Sequence, residues 1–145
     1  MTTRIYLASP YTSGISPTTT ARIRASIMGK RCSRAEKAAA LLIKDNYAVY
    51  SPIASWHHVA LKHRLPKGDD FWRRQNAAML DWCHVLVVLK ITGWNHSYGI
   101  DWEVRAAMNL DKHIQYMTML SPSQRKPGDK PYYLTGDTSY ESSAA

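Results

Sequence analysis

The sequence has few cysteines, no long apolar run and no apparent leader segment. Its two cysteines, Cys32 and Cys83, are 51 positions apart and have no neighbours at metal-ligand spacing, so neither a disulfide framework nor a zinc site is expected. Apolar runs such as "VLVVL", from Val85 to Leu89, are far shorter than the roughly 20 residues that span a bilayer. The first ten residues lack the apolar region of a secretory signal. These features predict a cytoplasmic protein with no membrane span.

Acidic residues are scarce in the first half of the chain. Before Asp69 the acids are Glu36 and Asp45 alone, whereas lysine and arginine are frequent there, and the whole chain carries a formal charge of +8. Such a surface attracts phosphate groups of nucleotides, nucleic acids or lipids, although for this bias alone a merely solvated basic face is the more common explanation. Zinc-finger, RNP and helix-turn-helix signatures are missing, so nucleic-acid binding is possible but not favoured. Walker, G-x-G-x-x-G and Ser-His-Asp patterns are missing too.

The apolar periodicity alternates between strands and helices. We predict strands at Arg4 to Ser9, "YAVYSPI", "HVLVVLK" and "HIQYMTM". A first helix is predicted from about Thr20, with a break at Gly29, so that its firm part begins at a Ser33–Glu36 capping box and runs to Asp45. Three further helices are predicted near Ser55 to Lys62, Phe71 to Trp82 and Gly99 to Leu110. This order predicts an α/β fold with a doubly wound, Rossmann- or flavodoxin-like parallel sheet of about four to five strands in a three-layer sandwich.

A chain of 145 residues has the size expected of one domain with a single hydrophobic core. We place that α/β domain at residues 1–118. Residues 119–145 are rich in Pro, Gly, Ser and Lys and lack periodicity, so they are predicted to form a C-terminal tail or arm.

The stretch "SYGIDWE", Ser97 to Glu103, offers a candidate site. Ser97 and Gly99 would lie at the start of a helix, where free backbone amides and the helix dipole bind anions and glycine permits close approach. Glu103 would follow about one turn later, beside any bound phosphate. On these residues alone, a glutamate that only complements the helix dipole is the more common situation.

Read as Ser-x-Gly-x-x-x-Glu after an apolar strand and loop, this stretch resembles the signature of the nucleoside 2-deoxyribosyltransferase-like superfamily, particularly its 2'-deoxynucleoside 5'-monophosphate N-hydrolases. A related group of uncharacterised small proteins, often encoded by phages or prophages, is similar in its "YLASPY", "YSPI", "GW..S.G" and "E...A" elements. Together these elements cover Ile5 to about Met117.

The resemblance implies an N-glycosidase or a deoxyribosyltransferase acting on a nucleoside or nucleotide. Glu103 would be the nucleophile at the anomeric carbon, Ser97 and Gly99 would hold a 5'-phosphate, and Tyr6 would match a catalytically important tyrosine of the first strand. It also implies a homodimer or higher homo-oligomer in which a neighbouring subunit completes each site, with residues Met117 to Ser123 as the candidate for that contact. No metal or redox cofactor is expected, because a carboxylate and positioned dipoles suffice for the chemistry.

Two residues differ from those that the hydrolases carry at the corresponding positions. Asn76 stands where the hydrolases carry an aspartate that orients the sugar, and asparagine supplies neither charge nor a proton acceptor of that kind. His84 stands where an aspartate usually leads the strand. These departures motivate the alternative of a nucleotide- or nucleic-acid-binding module without turnover.

Other candidates lie in segments that follow predicted strands. Ser9 and Pro10 belong to the loop after the first strand and would approach the substrate. His58, or its neighbour His57, would contact a base or relay a proton, and Trp94 or Trp56 would stack on a nucleobase, although packing roles suit the same residues.

Overall fold

The computed structural model describes residues 1–136 and confirms the predicted α/β class. Within these residues the strands are β1 (Arg4–Ala8), β2 (Ala48–Tyr50), β3 (Val85–Leu89), β4 (His113–Met119) and β5 (Tyr132–Thr135). The α-helices are α1 (Ala21–Lys44), α2 (Pro52–Lys62), α3 (Asp69–Trp82) and α4 (Tyr98–Asn109), and short 3-10 turns occur at Trp94–His96 and Pro122–Gln124.

The strands form one sheet in the order β2-β1-β3-β4-β5. The first four are parallel, and β5 pairs antiparallel with β4 at the edge. Strand order reverses between β1 and β3, because the chain leaves β1 toward one edge and returns to β3 on the other side. Ligands of doubly wound sheets bind beyond the carboxyl ends of the strands at such a point.

Helices cover both faces of the sheet, and the alternation of side chains along β1 shows how. Ile5 and Leu7 face a cluster with Ala38 and Leu42 of α1. Tyr6 and Ala8 face the opposite cluster, which α3 and α4 complete. Strands that are buried on both faces read as continuous apolar runs, as "VLVVL" does.

The predicted break in α1 is wrong. The helix runs without interruption through Gly29, and its N-cap is Thr20, whose side chain accepts a hydrogen bond from the Ile23 amide at 3.3 Å. A glycine costs a helix about 1 kcal/mol, and the burial of Met28, Cys32 and other residues of the same face outweighs that cost. The Ser33–Glu36 capping box therefore does not form.

The boundaries of β2 and α2 also differ from the sequence prediction. Strand β2 stops at Tyr50, and α2 begins at Pro52 rather than near Ser55. Ser51 caps this helix by accepting a hydrogen bond from the Ala54 amide, and Pro52 suits the first helical position, where no amide hydrogen is needed.

The chain after residue 119 is more than a tail, because Tyr132–Thr135 forms a sheet strand. The sequence did not indicate this strand, because four residues are too few for an alternation of apolar and polar side chains to be recognised. Residues 137–145 of the predicted tail lie outside the described residues. None of the helices described for residues 1–136 is both long and apolar enough to cross a membrane.

Candidate active site

A cavity of about 220 Å³ lies beyond the carboxyl ends of β1, β2 and β3. The loop after β1, most of α2 and the segment that follows it, the start and middle of α3, and the N-terminus of α4 form its walls. This is the strand-order reversal where a doubly wound sheet is expected to bind ligands. Of the residues predicted for the site, the cavity is lined by Ser9, Asn76, Ser97, Gly99 and Glu103.

Glu103 is the buried carboxyl group of this cavity. Only 7% of the residue is exposed, although it lies on the helix face that borders the opening. Burial raises its pKa to about 8, and the nearby charge of Asp69 acts in the same direction, whereas interaction with Tyr6 lowers it. A carboxyl group with a pKa this far above the ordinary range, placed in a cavity, is the arrangement typical of a catalytic acid, base or nucleophile.

Tyr6 lies behind Glu103 rather than in the cavity wall. It is fully buried, and its own pKa is raised well above the ordinary value by burial and by Glu103. Within the described residues its hydroxyl group has no partner at full hydrogen-bond geometry. The phenol is therefore close enough to change the pKa of the carboxyl group. A small movement of Glu103 would let the phenol O–H donate a hydrogen bond to it.

Ser97 and Gly99 form the N-terminus of α4. Ser97 is the N-cap, since its Oγ accepts a hydrogen bond from the Ile100 amide at 3.2 Å. Its O–H remains available as a donor toward the cavity. A Cβ on Gly99 would meet the Ser97 Oγ at 3.7 Å, which is ordinary contact, so the packing of the protein itself does not require glycine there. This helix start supplies amides and the positive dipole end for an anion.

Asn76 belongs to a hydrogen-bond network centred on the Tyr50 hydroxyl. Tyr50 donates to Asn76 Oδ1 at 3.0 Å and accepts from Trp56 Nε1 at 3.1 Å, with Gln75 Nε2 at 3.4 Å. The Tyr50 ring lies 5.3 Å from that of Tyr6. Asn76 thus reaches the cavity with its carbonyl oxygen already engaged, which leaves its amide hydrogens for a ligand.

The loop after β1 is held in place from α1. The buried Arg31 guanidinium donates to the carbonyl oxygens of Tyr11 and Ser13 at 3.0 and 2.8 Å, and Ser13 Oγ donates to the Gly93 carbonyl at 3.2 Å. Gly93 has a φ of 96°, and a Cβ there would lie 3.0 Å from Arg31. These bonds fix the loops after β1 and β3 against each other, with the Ser9 hydroxyl unpartnered among residues 1–136 and bordering the cavity.

The histidine in the cavity is His57 rather than His58. His57 is 6% exposed, and its Nδ1 pairs with the Tyr11 hydroxyl in a short hydrogen bond. Burial lowers the pKa of His57, which favours the neutral ring. His58 points away from the cavity and contacts Glu36 at 3.3 Å. Consecutive residues of a helix point about 100° apart, so the two side chains face different surroundings. The sequence alone did not show which of them faces the cavity.

The remaining predicted residues lie away from the cavity in the described part of the chain. Trp94 packs against Tyr116, with ring centroids 5.8 Å apart, and the Lys90 ammonium lies over it. Pro10 follows Ser9 without lining the opening. His84 lies at the amino end of β3, opposite the cavity, where its Nδ1 accepts a hydrogen bond from the Arg4 amide at 3.0 Å.

Sequence reasoning missed several residues that line the cavity. Trp72 of α3 joins Trp56 of α2, with ring centroids 6.4 Å apart, and gives one wall an aromatic surface. Asp69 brings a second carboxylate, and Tyr11 pairs with His57. Tyr11 could have been predicted from its position in the "SPYT" loop, which directly follows β1. Asp69 could not, because an acid in the first turn of a helix commonly only stabilises that helix.

The chain belongs to the family described as "Domain of unknown function (DUF1937)", whose model matches residues 3–119. This segment runs from the residue before β1 to the end of β4 and includes every cavity-lining residue named above. No curated protein matches the chain.

Proposed function

We propose that this DUF1937 protein cleaves or transfers the N-glycosidic bond of a nucleoside or nucleoside 5'-monophosphate, with Glu103 as the nucleophile. The supporting observation is a buried carboxyl group of raised pKa in the same cavity wall as the N-terminus of its own helix. That arrangement offers one position for an anion and another, one turn away, for an electron-deficient carbon.

The reaction begins with the anomeric carbon of the sugar next to the Glu103 carboxylate. The bond from that carbon to the base nitrogen breaks, its electron pair leaves with the base, and the carboxylate oxygen bonds to the carbon or stabilises its positive charge. Water or a second base then displaces the carboxylate and loses one proton, which balances the proton that the departed base takes up. Although a pKa of about 8 leaves most Glu103 protonated at pH 7, developing positive charge on the sugar favours the ionised form.

The other residues of the cavity fit a nucleotide. The α4 amides and the Ser97 hydroxyl face the expected phosphate, and the Trp56 and Trp72 side chains offer apolar surface to a base. Asn76 amide hydrogens suit a sugar hydroxyl.

Homo-oligomer formation and a cytoplasmic location are part of the same proposal. Leu61 and Tyr98 border the cavity with 49% and 68% of their surfaces exposed, so a second copy that covers the opening would bury apolar area. Cys32 and Cys83 are both free thiols, which is compatible with a reducing compartment.

The direct experiment is a screen of nucleosides and nucleoside 5'-monophosphates, with chromatographic detection of the free base. We expect base release from at least one substrate, and we expect Glu103→Gln to lower its rate by about 1,000-fold or more while substrate still binds. Asp101→Asn is the matched control, since Asp101 lies on the same helix and pairs with Arg105 at 2.9 Å.

Two outcomes would overturn this assignment. Base release by Glu103→Gln at the wild-type rate would remove Glu103 from the chemistry. Nucleotide binding by the wild-type protein without base release at any pH would favour the alternative, which Asn76 motivates, of a binding module with the same fold.

A further inference from the structure

A second group of reactive side chains lies outside the cavity, where α1 meets α2. Cys32 and Glu36 are one turn apart on α1, and His58 approaches from α2. The Cys32 Sγ is 3.0 Å from Glu36 Oε1, and His58 Nε2 is 3.3 Å from the same oxygen. All three atoms lie within 4.8 Å of one another, and within residues 1–136 no other three such side chains converge in this way.

We propose that Cys32, Glu36 and His58 bind a zinc ion. Thiolate, imidazole and carboxylate are the ligands that zinc takes in proteins, at about 2.0 to 2.3 Å, whereas magnesium and calcium avoid sulfur. Ligand atoms at those distances around a tetrahedral ion are separated by roughly 3.3 to 3.5 Å. Two of the three observed spacings, 3.0 and 3.3 Å, are close to that range, and the third, between Cys32 and His58, is at most 4.8 Å and must shorten as the ion binds.

The side chains leave a route and a free coordination position for the ion. Cys32 is 1% exposed, but the Glu36 and His58 side chains are 48% and 75% exposed, so zinc reaches the sulfur from the solvent side. Water takes the fourth position, as in sites with three protein ligands.

Zinc binding at this site replaces a proton. An ordinary cysteine thiol is protonated at neutral pH, and the Cys32 Sγ donates a hydrogen bond to Glu36 Oε1, so the sulfur carries a proton before the ion arrives. The sulfur–hydrogen bond breaks, the proton passes to solvent, and the sulfur electron pair binds zinc. One thiolate, one carboxylate and one neutral imidazole leave the complex with no net charge, so binding places no additional cation on a basic helix.

A bound ion would join α1 to the helix that forms one wall of the cavity. Residues Ile53, Trp56 and His57 of α2 line that wall, and Cys32 Sγ also lies 3.7 Å from the Ile53 carbonyl oxygen. Zinc would therefore hold the cavity wall in place. Cysteine spacing did not predict the site, because only one ligand is a cysteine and the imidazole lies 22 positions beyond Glu36.

The test uses the full-length chain without a purification tag. Titration with zinc chloride in a calorimeter should show one equivalent bound, and repetition in buffers of different ionisation enthalpy should show about one proton released. Cobalt(II) added in place of zinc should give a sulfur-to-metal charge-transfer band in the near ultraviolet, and Cys32→Ser should abolish this band.

The variants His58→Asn and Glu36→Gln keep the test decisive if Cys32→Ser does not fold, because both residues are substantially exposed. Each should weaken zinc binding by more than the roughly 10-fold that loss of an outer-shell partner costs. His63→Asn, at the exposed end of the same helix, is the control and should bind as the wild type does. The proposal would be overturned if the wild-type protein did not bind one equivalent of zinc, or if the Cys32 and His58 variants bound zinc as tightly as the wild type.

Discussion

At the scale of single residues, the environment of Glu103 determines both its reactivity and its effect on stability. Burial disfavours the charged carboxylate, and Asp69 adds to that effect. Tyr6 acts in the opposite direction, so that the pKa is about 8 rather than higher still. The side chain can therefore change its charge close to neutral pH, which an exposed glutamate does not do.

We predict that Glu103 makes the folded protein less stable as the pH rises from 5 to 9. The folded-state pKa of about 8 exceeds the ordinary value of 4.5, so the folded state binds more protons in this interval. The contribution is fully present below the ordinary value and is lost as the pH passes the folded-state pKa. Urea unfolding at several pH values should show a loss on the order of a few kcal/mol that Glu103→Gln removes.

Asp101→Asn provides the comparison, because that residue is an ion-paired acid near the surface of the same helix. If Glu103→Gln and the wild-type protein lose the same free energy of unfolding between pH 5 and 9, Glu103 does not titrate in this range.

At the scale of elements, the start of α4 combines a folding role with the binding role that we propose for it. The Ser97 oxygen caps the helix, while its O–H and the following amides border the cavity. The first helix offers a comparison, since Thr20 caps α1 through the Ile23 amide on an exposed part of the molecule.

We predict that Ser97→Ala and Thr20→Ala differ in ligand binding more than in stability. Each removes one N-cap bond, which is worth about 1 kcal/mol. Only Ser97→Ala also removes a donor from the cavity, and we expect it to weaken binding of a nucleoside 5'-monophosphate by about 10-fold. Thermal unfolding and calorimetric titration measure the two effects, and equal affinities in both variants would place the phosphate elsewhere.

At the scale of the whole molecule, β5 is tied to a distant part of the chain. The Tyr132 hydroxyl donates to Asp45, which follows the last residue of α1, and the Lys130 ammonium lies 3.2 Å from the same carboxylate oxygen. These contacts lower the pKa of Asp45, with the Tyr132 bond contributing most. The edge strand is thus attached both to β4 and to the end of the first helix.

We predict that Tyr132→Phe loosens β5 without unfolding the sheet. Loss of the bond to Asp45 leaves the strand held by β4, its ring packing and Lys130, so amides of residues 132–135 should exchange with solvent severalfold faster. Tyr133→Phe is the control, because Tyr133 is 47% exposed on the same strand. Unchanged exchange in Tyr132→Phe would show that strand pairing alone secures the edge.

Most of this architecture was predictable from local patterns, and the exceptions have identifiable causes. The four parallel strands were recognised because each is an apolar run followed by loop or cap residues. The break predicted at Gly29 was wrong because the burial of one face of α1 outweighs the low helix propensity of glycine. Strand β5 was missed because four residues with one buried tyrosine carry little periodic signal.

The candidate site was predicted where it depends on one contiguous segment. Ser97, Gly99 and Glu103 share "SYGIDWE", and helix geometry alone relates them. The pairing of Tyr11 with His57, and the aromatic wall of Trp56 and Trp72, depend on how separate elements pack. Such contacts between elements leave no spacing signature in a single sequence.

The Tyr50 network has a consequence for substrate selection. Tyr50 does not itself line the cavity, yet its hydroxyl joins Trp56 of α2 to Gln75 and Asn76 of α3. Both helices contribute residues to the cavity wall, so these bonds hold two sides of the cavity together. Under the proposed function, one phenol at the end of β2 would therefore help to set the size of base that fits, although it lies behind the cavity wall.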